Sequence, residues 1–175
     1  MIDSAFLRQV DAASEQTIEL CYHCHKCTAG CPVAVEMEYG PDRVLRLVQL
    51  GEWERVLTSR DIWICASCET CGTRCPNEIN IAEVMDALRV ISLAKEYSTP
   101  EPNAPAFHRL FLGIVGRTGR MHEASLMALY KLKTMDLFSD MDSGIQMFLK
   151  GKIPLLPHRV KKMKEVKRIF RETGK

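Results

Sequence analysis

The sequence predicts a mainly α-helical protein. Three observations carry that prediction. Apolar residues recur at helical spacing before, between and after two cysteine-rich loops. Pro41 and Asn80 stand where helices would begin. The second half holds several further short stretches with helical character.

Taken in order, Phe6, Leu7 and Val10 suggest a short opening helix. The first cysteine run, CYHCHKCTAGCP, covers Cys21–Pro32. In the segment that follows, Pro41 suits a first helical turn, and Val44, Leu45, Leu47, Val48 and Leu50 crowd one side. Gly51 can end that helix, and Glu52–Leu57 can begin another turn. The second run, CASCETCGTRCP, covers Cys65–Pro76. Asn80 can cap the next helix, with Glu83 three residues on in the manner of a capping box. Ile81, Val84, Met85, Leu88 and Ile91 form its apolar stripe. STPEPNAP, residues 98–105, reads as a linker or rigid bend. Helical stretches are expected at Ala106–Val115, Glu123–Lys133, Ser143–Lys150 and His158–Arg171, with Gly151–Arg159 extended around its two prolines. Gly113, Gly116 and Gly119 are expected in turns between helices. They do not form a phosphate loop, because no G-x-x-x-x-G-K-[ST] is present. The expected domains are residues 1–97, holding both cysteine runs, and 98–175, a helical extension suited to docking a partner.

Composition limits the function classes. Apolar residues at 46% and charged residues at 26% describe an ordinary folded protein rather than a disordered one. A net charge of +2 does not argue for nucleic acid as a partner. No window approaches the roughly 18 apolar residues of a membrane helix. MIDSAFLRQVDAASEQT lacks the basic start and apolar core of a secretory signal. A cytoplasmic protein is expected, brought to a membrane only through a partner. The basic tail HRVKKMKEVKRIFRETGK reads first as a solvated helix face, and second as a surface for an acidic partner. The nine methionines are scattered, as core filler would be.

All eight cysteines fall in the two runs. Each run is C-x2-C-x2-C-x3-C-P, the ligand pattern of bacterial ferredoxins that hold two [4Fe–4S] clusters. Three close cysteines wrap three corners of one cluster, and the fourth of the same run reaches the other cluster. The expected ligands are therefore Cys21, Cys24, Cys27 and Cys75 for one cluster, and Cys65, Cys68, Cys71 and Cys31 for the other. Pro32 and Pro76 fix the backbone just after each crossing ligand. Two four-thiolate zinc sites fit the count, but zinc usually takes two separated C-x2-C knuckles rather than one run of four. A disulfide framework fits a reducing compartment least. His23 and His25 lie inside the first run as loop residues or as donors to cluster sulfur. No catalytic residue is assigned. The chain has no adjacent cysteine pair, nucleophile elbow or dinucleotide fingerprint.

Clusters seated between helices resemble the α-helical ferredoxin domain of succinate dehydrogenase iron–sulfur subunits and their relatives. More narrowly, CYHCHKCTAGCP through DIWICASCETCGTRCPNEINIAEVMDALR, the GPDRVLRLVQLGEWE spacer and the tail GKIPLLPHRVKKMKEVKRIF resemble the C-type iron–sulfur subunits of heterodisulfide reductase and heterodisulfide reductase-like complexes. That resemblance implies a non-catalytic electron-transfer subunit. It would relay single electrons between an A-type subunit bearing flavin and iron–sulfur clusters and a B-type subunit whose CCG domains cleave the disulfide. His25 stands where many members of the family would have glycine. The alternative is the iron–sulfur subunit of a flavin dehydrogenase or quinone-linked reductase, of the glycolate oxidase, glycerol-3-phosphate dehydrogenase or fumarate reductase type. A third reading makes the clusters structural staples or part of a sensor.

Overall fold

In a computed structural model, the described residues are 4–97, 100–135, 146–147, 150 and 159–173. Among them the chain is helical and has no strand. It divides into two compact units, Met1–Glu101 and Pro102–Lys175.

The first unit contains both cysteine runs. Helix α1 (Ser4–Ser14) buries Phe6, Leu7 and Val10, the three residues that suggested it. A 3-10 turn at Ile18–Leu20 leads into the first run, within which α2 (Lys26–Ala29) forms one helical turn. Helix α3 (Pro41–Gln49) begins at the proline, buries Val44, Leu45, Leu47 and Val48, and ends before Gly51 at φ 75°. Helices α4 (Trp53–Leu57) and α5 (Asp61–Ile64) follow, and α6 (Thr70–Arg74) lies inside the second run. Helix α7 (Ile81–Ala94) closes the unit, packing its apolar stripe against α1, α4 and α5. Val10, Ile18, Val44, Val48, Val56, Leu57, Ile62, Val84 and Leu88 form the solvent-free centre of this core.

Asn80 caps α7, its side chain accepting from the Ala82 N–H. Glu83 does not complete the capping box. Its carboxylate accepts from Gln16 Nε2 at 2.6 Å, while Gln16 Oε1 accepts the Asn80 backbone N–H at 2.8 Å. A glutamine 64 residues away thus satisfies the donor that the local glutamate was expected to take.

In the second unit, α8 (Asn103–Thr118) begins three residues earlier than the prolines suggested. Pro105 sits in its first turn, where the missing N–H has no intrahelical partner to lose. Gly113 and Gly116 lie inside α8 and not in turns. A helix tolerates glycine at about 1 kcal/mol, and a Cβ on Gly116 would reach the Phe170 ring at 3.5 Å. Gly119 does end the helix, at φ 81°, with Val160 packed where a Cβ would stand. Helix α9 (Glu123–Thr134) is capped by His122, whose ring nitrogen accepts the Ser125 N–H. Helix α10 (Met163–Thr173) starts later than the expected His158 and packs on α8. Its lysines and arginines are exposed. All of the expected extended segment Gly151–Arg159 except Arg159, and most of the expected helix Ser143–Lys150, lie outside the described residues.

Candidate cluster sites

The two cysteine runs fold alike. His23 and His25 have φ of 58° and 60°, and Ser67 and Glu69 have φ of 49° and 59°. Both pairs flank the middle cysteine of their loop, and the second pair lies 44 residues after the first (67 − 23 and 69 − 25). Left-handed residues alternating with ordinary backbone make concavities that favour anions. No glycine occupies these four places, so each loop holds non-glycine residues in a region that costs about 1 kcal/mol or more apiece.

The correspondence extends to the helices that follow each run. Gln49, at the end of α3, donates from Nε2 to the carbonyls of Ile18 at 2.9 Å and Cys21 at 3.1 Å. Arg89, on α7, donates to the carbonyls of Ile62 and Cys65. Ile62 and Cys65 each lie 44 residues after their counterparts, and Arg89 lies 40 after Gln49, matching the 40 residues between the helix starts Pro41 and Ile81. One side chain from each helix therefore clasps the entrance of its own loop. Gln49 Oε1 also lies 2.7 Å from His23 Nε2, and Arg89 Nη1 reaches Ser67 Oγ at 3.5 Å.

The thiols lie in a graded environment. Cys24 and Cys68, the middle residues of the loops, are exposed; Cys27 is buried and the other five are half-buried. Burial pushes the Cys27 thiol up to about 11. It also raises Cys21, Cys65 and Cys71. Cys68 is lowered, because the Thr70 hydroxyl and backbone N–H hydrogen-bond to its sulfur. Metal binding at the buried thiols must displace a firmly held proton.

One cavity is lined by Cys31 together with Cys65, Cys68 and Cys71, and its remaining wall includes Val33, Met37, Pro41, Ile81 and Met85. The fourth cysteine of the first run thus shares a largely apolar recess with three cysteines of the second. On the other side, Cys21 lies within electrostatic range of both Cys24 and Cys75, and Cys27 within range of Cys21. Four thiols spread around an apolar cavity suit a multi-iron cluster, which needs thiolate corners and little water.

The partners of the two histidines separate their roles. His23 Nδ1 lies 3.8 Å from Cys21 Sγ, within range of a hydrogen bond to sulfur. His25 Nδ1 instead donates to Asp42 Oδ2 at 2.7 Å. Its φ of 60° accounts for the glycine expected there. Thr28 Oγ donates to the other oxygen of Asp42 and accepts the Asp42 N–H at 3.1 Å. Sequence reasoning missed Asp42, Gln49 and Arg89. Their matched distance from each helix start was the available signal for the last two.

Residues 20–80 match the 4Fe-4S dicluster domain family. The second C-type iron–sulfur subunit of CoB–CoM heterodisulfide reductase from Methanocaldococcus jannaschii is 42% identical over 80 residues, covering 46% of this chain and 42% of that protein. The corresponding C-type subunit from Methanopyrus kandleri is 31% identical over 103 residues, covering 59% of this chain and 50% of that protein. The C-type subunit of the H(2):CoB-CoM heterodisulfide,ferredoxin reductase of Methanothermobacter marburgensis is 28% identical over 88 residues, or 50% of this chain and 48% of that protein. The chain spans about half the length of these relatives, or somewhat less.

Fold, cysteines and family match define a helical iron–sulfur protein that carries two [4Fe–4S] clusters. Within that class, its dicluster domain is similar to that of the C-type subunits of heterodisulfide reductase. Among the described residues, no helix is long and apolar enough to cross a membrane.

Proposed function

We propose that this chain relays single electrons within a heterodisulfide reductase-like complex, between an A-type flavin and iron–sulfur subunit and a B-type subunit with CCG domains. Cys21, Cys24, Cys27 and Cys75 hold one cluster, and Cys65, Cys68, Cys71 and Cys31 hold the other. The observation that carries this reading is the shared cavity of Cys31 with Cys65, Cys68 and Cys71.

When bound, such clusters take up and release one electron at a time. The residues around them orient and insulate. Gln49 and Arg89 fix the entrance of each loop through backbone carbonyls. Ile81 and Met85 give the second recess an apolar wall. Cys24 and Cys68 leave one corner of each site at the surface, where an electron can pass to a partner. Residues 102–175 supply the docking extension, whose basic α10 suits an acidic surface. The complex works in a reducing compartment, with no membrane insertion by this chain.

Crossed ligation gives a specific test. Cys75→Ser should damage the cluster of the first run and spare that of the second, read by Mössbauer and EPR spectroscopy of the anaerobically isolated protein. Loss confined to the second-run cluster would refute the ligand assignment. Anaerobic capture from native cells tests the partners. Co-purification of a CCG-domain protein and a flavoprotein supports the complex, whereas a flavin dehydrogenase without CCG domains places the relay elsewhere.

A further inference from the structure

The two halves of the dicluster unit match in backbone and differ in buried charge. After the first run, the position following the first helical residue is Asp42; after the second run it is Ala82, which lines the recess of Cys31, Cys65, Cys68 and Cys71. Asp42 is 4% exposed, and its carboxylate is held by Thr28 and His25. Asp42 is thus bonded to residues on both sides of Cys27, inside the first run. At the clasp the difference has the opposite sign. The first site has the neutral Gln49, and the second has Arg89, whose side chain is 11% exposed and which donates to the Cys65 carbonyl.

Other charges surround these two. His25 beside Asp42 has a side chain 71% exposed, and Arg46, which reaches Gln49 Oε1 at 3.2 Å, is also exposed. Near the second site, Asp86 pairs with Arg89 at 2.7 Å with its side chain 59% exposed, and Glu69 on the cavity rim is exposed. Water and salt screen such exposed groups far more than buried ones. The buried Asp61 is answered by three backbone N–H donors, of Glu38, Tyr39 and Gly40, outside both runs. Asp42 and Arg89 are the largely buried charges hydrogen-bonded to the cysteine runs themselves.

An added electron is added negative charge. A fixed carboxylate opposes it and a fixed guanidinium favours it. We propose that Asp42 and Arg89 bias the two cluster sites in opposite senses, so that the chain takes electrons in at the first-run site and delivers them from the second. The inference rests on the ligand sets proposed above. One electron enters from a reduced one-electron carrier, a flavin or cluster protein docked over exposed Cys24 and Tyr22. One electron leaves to an oxidised carrier docked over exposed Cys68. No bond or proton moves.

The test is an EPR-monitored redox titration of the cluster-loaded full chain. Cys24→Ser and Cys68→Ser each alter one spectrum and so identify the sites, and either suffices. The first-run site is expected to have the lower midpoint, by enough to favour transfer to the second about tenfold, or about 59 mV for one electron. Asp42→Asn should raise the first-site midpoint alone, and Ala82→Asp should lower the second alone, shifts that a merely structural role would not confine to one site. A wild-type first-site midpoint equal to or above the second overturns the proposal even if neither charge variant loads clusters. Two loaded clusters in reversed order defeat this inference only. A chain that loads none defeats the cluster reading as well.

Discussion

Asp61 has no solvent-exposed surface, yet it is a carboxylate. Its oxygens accept the backbone N–H groups of Glu38, Tyr39 and Gly40, each at 2.8 Å, and so pin the loop that carries the chain from the first cysteine run into α3. Removing the acceptor strands three donors, each worth about 1 kcal/mol or more when left unpaired in the interior. Asp61→Ala should therefore lower the unfolding free energy by about 3 kcal/mol, measured by denaturant melts of the loaded protein. A loss under about 1 kcal/mol would mean that water reaches those donors. Asp42 and Arg89 act at the same scale on charge. The cysteines were legible because their spacing is the chemistry. The charged supports were not, because the runs repeat in cysteine and proline while their neighbours differ: His25 matches Glu69, Thr28 matches Gly72, and Asp42 matches Ala82.

Helices α3 and α7 were legible because their apolar residues follow the helical period and each starts at a recognisable first-turn or cap residue. The turns α2, α5 and α6 were not, since four or five residues are too few to show a period. In α8, Pro105 read as a stop although it occupies a first turn, and glycines read as turns although two of them are helical. Gly119 is the one glycine there that must be glycine. At φ 81° a side chain is strained, and an added Cβ would collide with Val160 Cγ2. Gly119→Ala should loosen α10 from α8, with a cost of about 1–3 kcal/mol. Hydrogen exchange should then rise in Met163–Thr173 while α1 and α7 stay protected. Unchanged exchange in α10 would show that Val160 gives way freely. Within α7, Leu88→Ala should cost about 2–5 kcal/mol in a denaturant melt, because Leu88 is fully buried in the core.

The molecule as a whole holds a dicluster core and a second helical unit. The core was legible almost from its cysteines alone, and the family match covers that part of the chain, residues 20–80. The second unit was less so. Its buried apolar side chains are few, with Ile114 and Leu126 the main ones among the described residues, and Phe107, Phe111, Leu112 and Leu132 remain exposed. A sparse core leaves a weak periodic signal. The relay depends on the eight cysteines carrying two iron clusters, and iron, sulfide and zinc analysis of the anaerobically isolated chain measures that loading. About eight irons and eight sulfides per chain, two clusters of four, is the expected result. About two zinc ions with no sulfide would contradict it.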